Sequence, residues 1–375
     1  MSLAANRTQL TLADKIRRLD WRLVLVLIGV AGVGTAALYS AGGMKPDPWA
    51  AKHVMRFSIG AGVMLLVALV DLRVWLRLAY PAYILAALLL VAVDVIGKGA
   101  MGAQRWLDLG PVQIQPSELM KIAAILALAR YFHGLSREQV GRIVYVIPPV
   151  LAILVPVALV MVQPDLGTAI VLLCTGAAMM FVAGVKLWKF LLAGTLGAAC
   201  LPVAWKLMHE YQRNRVRIFL DPDLDPLGAG YHILQSKIAI GSGGMLGKGF
   251  GLGTQSTLNF LPEKQTDFIF TMWTEETGLR GALILLALYV CIILYAYIVA
   301  LRARSHFGRL LAMGIGITVF LYVFINMGMV MGLLPVVGVP LPLVSYGGTA
   351  MLTVLFACGL LLGINVHRDL VIPRP

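Results

Sequence analysis

Ten mostly apolar stretches follow one another along this chain, at about 21–42, 54–71, 76–97, 116–134, 144–163, 166–184, 188–208, 280–301, 307–331 and 343–365. Each is roughly 18 to 25 residues long, enough for a helix to cross about 30 Å of hydrocarbon. The segments of about ten alternating residues that build a membrane β-barrel are absent. The pattern predicts an all-α polytopic membrane protein of about ten transmembrane helices. No fixed-period repeat or low-complexity linker divides it, so a single membrane domain is expected over 1–375. Ahead of the first run, in segment 1–20, Leu12, Ile16 and Leu19 lie beside Lys15, Arg17 and Arg18. That spacing predicts a short interfacial helix against anionic headgroups. Between the seventh and eighth runs lies one long polar interval, 209–279.

Composition supports this picture. Hydrophobic residues make up 59% of the chain and charged ones 13%, against about 25% charged in soluble domains. A net charge of +13 in a soluble protein would suggest nucleic acid, but here the basic residues gather in short loops on one side of the runs. That side holds Arg7, Lys15, Arg17, Arg18, Arg22, Arg73, Arg77, Arg137, Arg142, Lys186, Lys189, Arg302, Arg304, Arg309, Arg368 and Arg374. The short loops opposite hold only Lys45, Lys52, Lys98 and Arg105. The positive-inside rule places both termini in the cytoplasm. Loop 98–115, the turn at 163–165 and the interval 209–279 then face outward. The first run lacks a small-residue cleavage site and is expected to be retained. Cys174, Cys200, Cys291 and Cys358 sit in apolar runs without a C-x-x-C pair and are expected to be buried small hydrophobes.

The unusual polar clusters all fall on the outer side. Gly102 to Trp106, with Gly110-Pro111, leads into Gln115-Pro116-Ser117-Glu118. Pro116 suits a first helical turn, and Glu118 and Lys121 share a helix face, as an ion pair or as a substrate contact. In Gln163-Pro164-Asp165-Leu166-Gly167-Thr168, Asp165 either caps the next helix or lines a cavity. Arg213, Arg215 and Arg217 alternate in an amphipathic stretch before Asp221-Pro222-Asp223-Leu224-Asp225-Pro226. Those aspartates invite a cation, but the prolines and the missing EF-hand glycine favour a turn-rich loop. The glycine-dense stretch 228–253 lacks the strand context of a nucleotide loop. It reads as a close-packed re-entrant or interfacial segment whose amides could meet phosphate.

Next comes LNFLPEKQTDFIF at 258–270, with an entry turn at Leu261-Pro262 and Thr266 placed to cap a helix starting at Asp267. Asp267, flanked by Phe268, Ile269 and Phe270, is partly desolvated at an interface, which raises its pKa and suits a general base. Sharing the cap of that helix is its plainer role. No Ser-His-Asp, Cys-His or H-E-x-x-H arrangement appears, so carboxylate chemistry is expected.

These clusters resemble the SEDS family (shape, elongation, division and sporulation). The likeness is carried by GAQRWLDLG at 102–110, QPSELMKI at 115–122, QPDLGTA at 163–169, the stretch 215–244, LPEKQTDFIF at 261–270 and LLPVVGVPLPLVSYGGTAM at 333–351. The last motif is similar to elongation members rather than division members. Gln265 stands where relatives often carry His, and Thr277 where Leu is common. The resemblance implies a peptidoglycan glycosyltransferase that polymerises lipid II during cell elongation. It sits in the bacterial inner membrane with its active site facing the periplasm. It also implies a class B penicillin-binding protein as partner, beside other membrane proteins of the elongation machinery. By motif, Asp267 takes the catalytic position, and Arg105, Glu118, Lys121 and Asp165 the substrate cavity, with Gln163, Glu263 and Lys264 as neighbouring substrate-binding candidates. No cofactor or protein-bound metal is expected; Mg²⁺ or Mn²⁺ assistance to the leaving pyrophosphate is compatible with the charge pattern. A lipid II flippase would suit ten spans too, but calls for polar residues at full membrane depth. A non-catalytic scaffold for the partner enzyme is the other alternative.

Overall fold

The computed structural model describes residues 11–374 apart from 101–102, 109–112, 208–209, 222–223, 226–227 and 258–262. The entry turn at Leu261-Pro262, the prolines Pro222 and Pro226, and Gly102, Gly110 and Pro111 of the first outer cluster lie outside the described residues. The chain opens with α1 (Leu12–Arg17), followed by α2 (Trp21–Ala41), α3 (Ala50–Leu69) and α4 (Leu72–Ile96). Three short strands come next: β1 (Lys98–Ala100), β2 (Ala103–Asp108) and β3 (Gln113–Ile114). Then follow α5 (Pro116–Gly134), α6 (Arg137–Val140), α7 (Ile147–Val162), α8 (Leu166–Val182) and α9 (Leu187–Leu207). The long polar interval contains α10 (Glu210–Leu220), α11 (Ala229–Gly243) and α12 (Thr254–Thr257). The chain closes with α13 (Ile269–Arg302), α14 (His306–Val330) and α15 (Gly348–Val366).

Each of the ten apolar runs thus becomes a helix. By length and composition six are able to cross a membrane, namely α2, α3, α4, α13, α14 and α15, while α7, α8 and the Leu187–Cys200 part of α9 are shorter apolar helices. This is a multi-pass membrane protein. α5 holds Glu118, Lys121 and Arg130 and is buried along most of its length, so its charges face protein rather than lipid. α15 packs along α3, α13 against α14, and α4 against α5. Large apolar side chains cover the outside, including Leu25, Leu66, Leu88 and Leu283. Cys174, Cys200 and Cys291 share that exterior and only Cys358 is buried. The burial expected for all four cysteines fails because lipid is as apolar as a core and gives small hydrophobes no reason to turn inward.

The segment at α1 touches the ends of α3 and α15. Lys15 Nζ donates to the Leu69 carbonyl at 2.7 Å, and Arg18 pairs with Asp369 at 3.3 Å. At the opposite end of the bundle, two features depart from the expected pattern. The loop after α4 forms an antiparallel sheet in the order β1-β2-β3, pairing Lys98 with Trp106 and Leu107 with Ile114, so the fold is not purely helical. Helix α13 begins at Ile269, close to the start expected at Asp267, but it runs on into the eighth apolar run and is broken at Gly278 (φ 67°, ψ −165°). The glycine-rich turn after α11 fills the break. Lys248 N and Gly249 N donate to the carbonyls of Glu275 and Glu276, and Leu279 N donates to that of Gly244. Those two loop amides are therefore satisfied by the protein and do not meet a phosphate.

Candidate active site

At the end away from the termini, the polar clusters of the sequence converge with one apolar helix. On α5, Lys121 Nζ donates to Glu118 Oε1 at 2.7 Å. Tyr322 of α14 completes the group: its hydroxyl accepts from Lys121 and donates to Glu118 Oε2 at 2.8 Å. Its ring lies 4.5 Å beneath the ammonium. Glu118, Lys121 and Tyr322 are 2%, 3% and 3% exposed. A buried ion pair is tolerable only when its remaining lone pairs and protons are bonded, and Tyr322 supplies that bonding. Pro116 occupies the first turn of α5, as its missing N–H allows.

Asp165 caps α8, accepting from Thr168 N at 3.2 Å, and Gln115 Nε2 reaches its other oxygen at 3.3 Å. Gln163 turns its side chain away, donating from Nε2 to the Leu90 carbonyl at 3.0 Å. Arg105 reaches across from β2. Its Nε donates to the Gln163 carbonyl at 3.1 Å, and a terminal nitrogen donates to the Pro164 carbonyl. The guanidinium therefore fixes the 163–165 turn against the sheet. Gly167 is required one step further on, because a Cβ there would meet the Val337 carbonyl at 2.6 Å. The loop between α14 and α15 crosses the start of α8 at this point.

That loop also bonds to the turn that carries Asp267. Residues 263–268 form a turn, entered through Glu263 with φ 55°. Helix α13 starts only at Ile269, with no side-chain cap. The expected capping by Thr266 does not occur, since Thr266 Oγ1 donates back to Glu263 and the positive φ of Glu263 closes a turn instead. The turn is held by its backbone. Ser345 Oγ donates to the Thr266 carbonyl at 2.7 Å, Tyr346 N to that of Gln265 at 2.8 Å, and Asn326 Nδ2 to that of Asp267 at 3.1 Å. Next to it, Phe268, Ile269 and Phe270 join the apolar core with residues of α2 and α15. Among the described residues, no hydrogen bond is made to the Asp267 carboxylate. Burial pushes its pKa up to about 6, aided by the negative charges of Glu263 and Asp165, while Arg215 and Arg105 pull the other way. Lys264 beside it is drawn down by burial.

Further along α13, buried Glu275 accepts at one oxygen from Lys248 Nζ (2.7 Å), Thr254 N (2.9 Å) and Gln255 N (3.2 Å). It anchors the segment that leads into the Asp267 turn. Among the described residues, no three His, Cys, Asp or Glu side chains gather as a metal-binding group. No protein cage for Mg²⁺ or Mn²⁺ forms from them, though an ion carried on a pyrophosphate needs only one or two carboxylates.

Comparison with known proteins supplies the lineage. The profile of the cell cycle protein family FtsW/RodA/SpoVE matches residues 17–370. The chain belongs to this family. Among FtsW/RodA/SpoVE relatives, the peptidoglycan glycosyltransferase MrdB of Escherichia coli K12 is 45% identical over 375 residues, covering 97% of this chain and 98% of that protein. The probable peptidoglycan glycosyltransferase FtsW of Aliivibrio salmonicida is 35% identical, covering 93% of this chain and 88% of that one. A chain from a peptidoglycan synthase complex that coordinates polymerization and crosslinking superposes with a TM-score of 0.78 at 35% identity, covering 93% of this chain and 98% of its own. The rod shape determining protein RodA of Thermus thermophilus gives 0.68 at 31% identity, covering 93% and 97%.

In this family member, tertiary contact adds Tyr322, Asn326 and Ser345, and the charge of Arg215 adds to them, beside the residues that the sequence singled out for the site. Tyr322 and Asn326 had one visible signal, two polar side chains four apart within an apolar run, a spacing that turns both to one helix face.

Proposed function

We propose that this chain polymerises lipid II into glycan strands during cell elongation. The reading has it span the bacterial inner membrane ten times, with both termini cytoplasmic and the Asp267 site facing the periplasm. It works beside a class B penicillin-binding protein that cross-links the product. The family and the names of its relatives support the activity; the loop charges support the orientation. One observation carries the chemistry: a carboxylate with a raised pKa that accepts no hydrogen bond among the described residues, in a turn whose backbone carbonyls are held by Ser345, Tyr346 and Asn326.

In this mechanism Asp267 takes the proton from the GlcNAc 4-hydroxyl of the acceptor. The freed oxygen attacks MurNAc C1 of the donor, and undecaprenyl pyrophosphate departs with inversion. General-base catalysis supplies about 10²–10⁴-fold, and positioning and charge stabilisation supply the remainder. Lys121, held by Glu118, and Arg105 carry the positive charge suited to a departing pyrophosphate. Arg215, whose charge acts on Asp267, adds to that field. Asp165 holds the start of α8 beside the Arg105 turn, and Glu263 raises the basicity of Asp267.

The test is polymerisation of labelled lipid II by purified protein. Asp267→Asn and Asp267→Ala are expected to yield no glycan polymer while keeping the thermal midpoint of a folded protein. Substantial polymer from Asp267→Asn would sink the assignment. Transbilayer movement of lipid II without polymer from the wild-type protein would instead favour a flippase.

A further inference from the structure

The mechanism needs a base and a cation at a set distance, and they reside on different elements. Asp267 lies in the turn before α13, and Lys121 lies on α5. α14 touches both. Its residues Thr318, Tyr322 and Asn326 recur at intervals of four and are all buried, so they form one polar stripe on one helix face. We infer that Asn326 and Tyr322 are positioning residues, which use the rigid rise of α14 to hold the Asp267 turn in register with the Glu118–Lys121 pair. The inference rests on the proposed glycosyltransferase mechanism.

Asn326 is 0% exposed, and its Nδ2 serves two carbonyls, that of Asp267 at 3.1 Å and that of Val339 at 2.8 Å. Val339 adjoins Gly338, where a Cβ would stand 3.5 Å from Asp267 Oδ2. One amide thus fastens the backbone beneath the carboxylate and the loop wall beside it. The carboxylate itself is left untouched, which is the arrangement a base requires. One turn along α14, a rise of about 6 Å, Tyr322 closes the bonding of Glu118 and Lys121. A further turn on, Thr318 Oγ1 lies 3.3 Å from Thr175 Oγ1 of α8, the helix that Asp165 caps. The stripe therefore ties α5, α8 and the Asp267 turn to one another through a single helix. Sub-ångström alignment matters here, because a misplacement of about 1 Å at a reacting group costs on the order of 10²-fold in rate.

Three variants of the full chain test this with labelled lipid II: Asn326→Leu, Asn326→Asp and Tyr322→Phe. Asn326→Asp keeps the volume and loses the donor. Both Asn326 variants are expected to lower kcat on the order of 10²-fold with little change in KM. Both are also expected to move the acid limb of the pH–rate profile, because the carboxylate they release changes surroundings. Tyr322→Phe is expected to lower kcat without moving that limb, since it acts on the ion pair. A merely structural role would lower the thermal midpoint and the active fraction but leave the limb in place. The inference is overturned if folded Asn326→Leu or Asn326→Asp keeps wild-type kcat and pH profile. It is equally overturned if all three variants fail to fold, because the stripe would then serve the fold alone. Asp267→Asn in the same assay separates the two levels: its retained polymer refutes the underlying mechanism, whereas its inactivity beside an unaffected Asn326→Asp refutes only the positioning role.

Discussion

Lys121 and Glu118 face each other across 2.7 Å at a place where both side chains are 3% exposed. Such a pair is expensive to bury and offers little net stability, but its disruption is severe because one charge is left alone. Glu118→Ala is therefore expected to destabilise the protein by about 3–5 kcal/mol. Replacing both partners, as in Glu118→Leu with Lys121→Met, should recover most of that loss. Neither variant is expected to make polymer. Thermal denaturation in detergent, paired with the lipid II assay, separates the two outcomes. Polymer from the double variant would reduce the pair to a packing device.

The raised pKa of Asp267 has consequences for both rate and stability. A base must be ionised, so kcat/KM is expected to rise with pH through about 6 and level off above it. Below that midpoint it should fall about tenfold per unit. Glu263→Gln removes a nearby negative charge and should shift the midpoint downward, which a pH–rate series detects.

For stability the sign runs in the other direction. The folded protein holds the Asp267 proton more tightly than the unfolded chain, between the ordinary value of 3.8 and about 6. Stability is thus complete below that window and is lost as pH rises through it. Asp267→Asn should be more stable than wild type at neutral pH, by on the order of 2 kcal/mol, and no more stable near pH 4. Thermal midpoints measured across that range check the expectation.

Gly278 controls the break in α13. Its φ of 67° and ψ of −165° lie in a region that glycine alone enters readily. An added Cβ would meet Gly247 N at 2.3 Å and the carbonyl carbon of Met245 at 2.7 Å. Gly278→Ala is expected to expel the glycine-rich turn, expose residues 244–253 to protease, and abolish polymer. Limited proteolysis with the lipid II assay reads both effects. An intact turn in the variant would contradict this account.

The apolar runs alone located ten of the helices, because a long apolar run satisfies its backbone groups most readily as a helix. Pro116 and the capping by Asp165 were legible for the same local reason, since first turns and caps are written in residue type. That the polar clusters gather between the apolar runs, apart from the basic loops, was legible from loop composition. Three things were not. The strands at Lys98–Ala100, Ala103–Asp108 and Gln113–Ile114 arise from pairing between segments. The sequence also proposed Gln163 as a substrate contact, whereas the fold turns its amide to Leu90, a carbonyl 73 residues away. Above all, Tyr322 and Asn326 look like incidental polar residues in an apolar span until the bundle closes. Only packing brings α14 between α5 and the Asp267 turn, and there a buried hydroxyl and a buried amide must find partners. Local chemistry therefore named Asp267, Glu118 and Lys121, and long-range contact determined what holds them together.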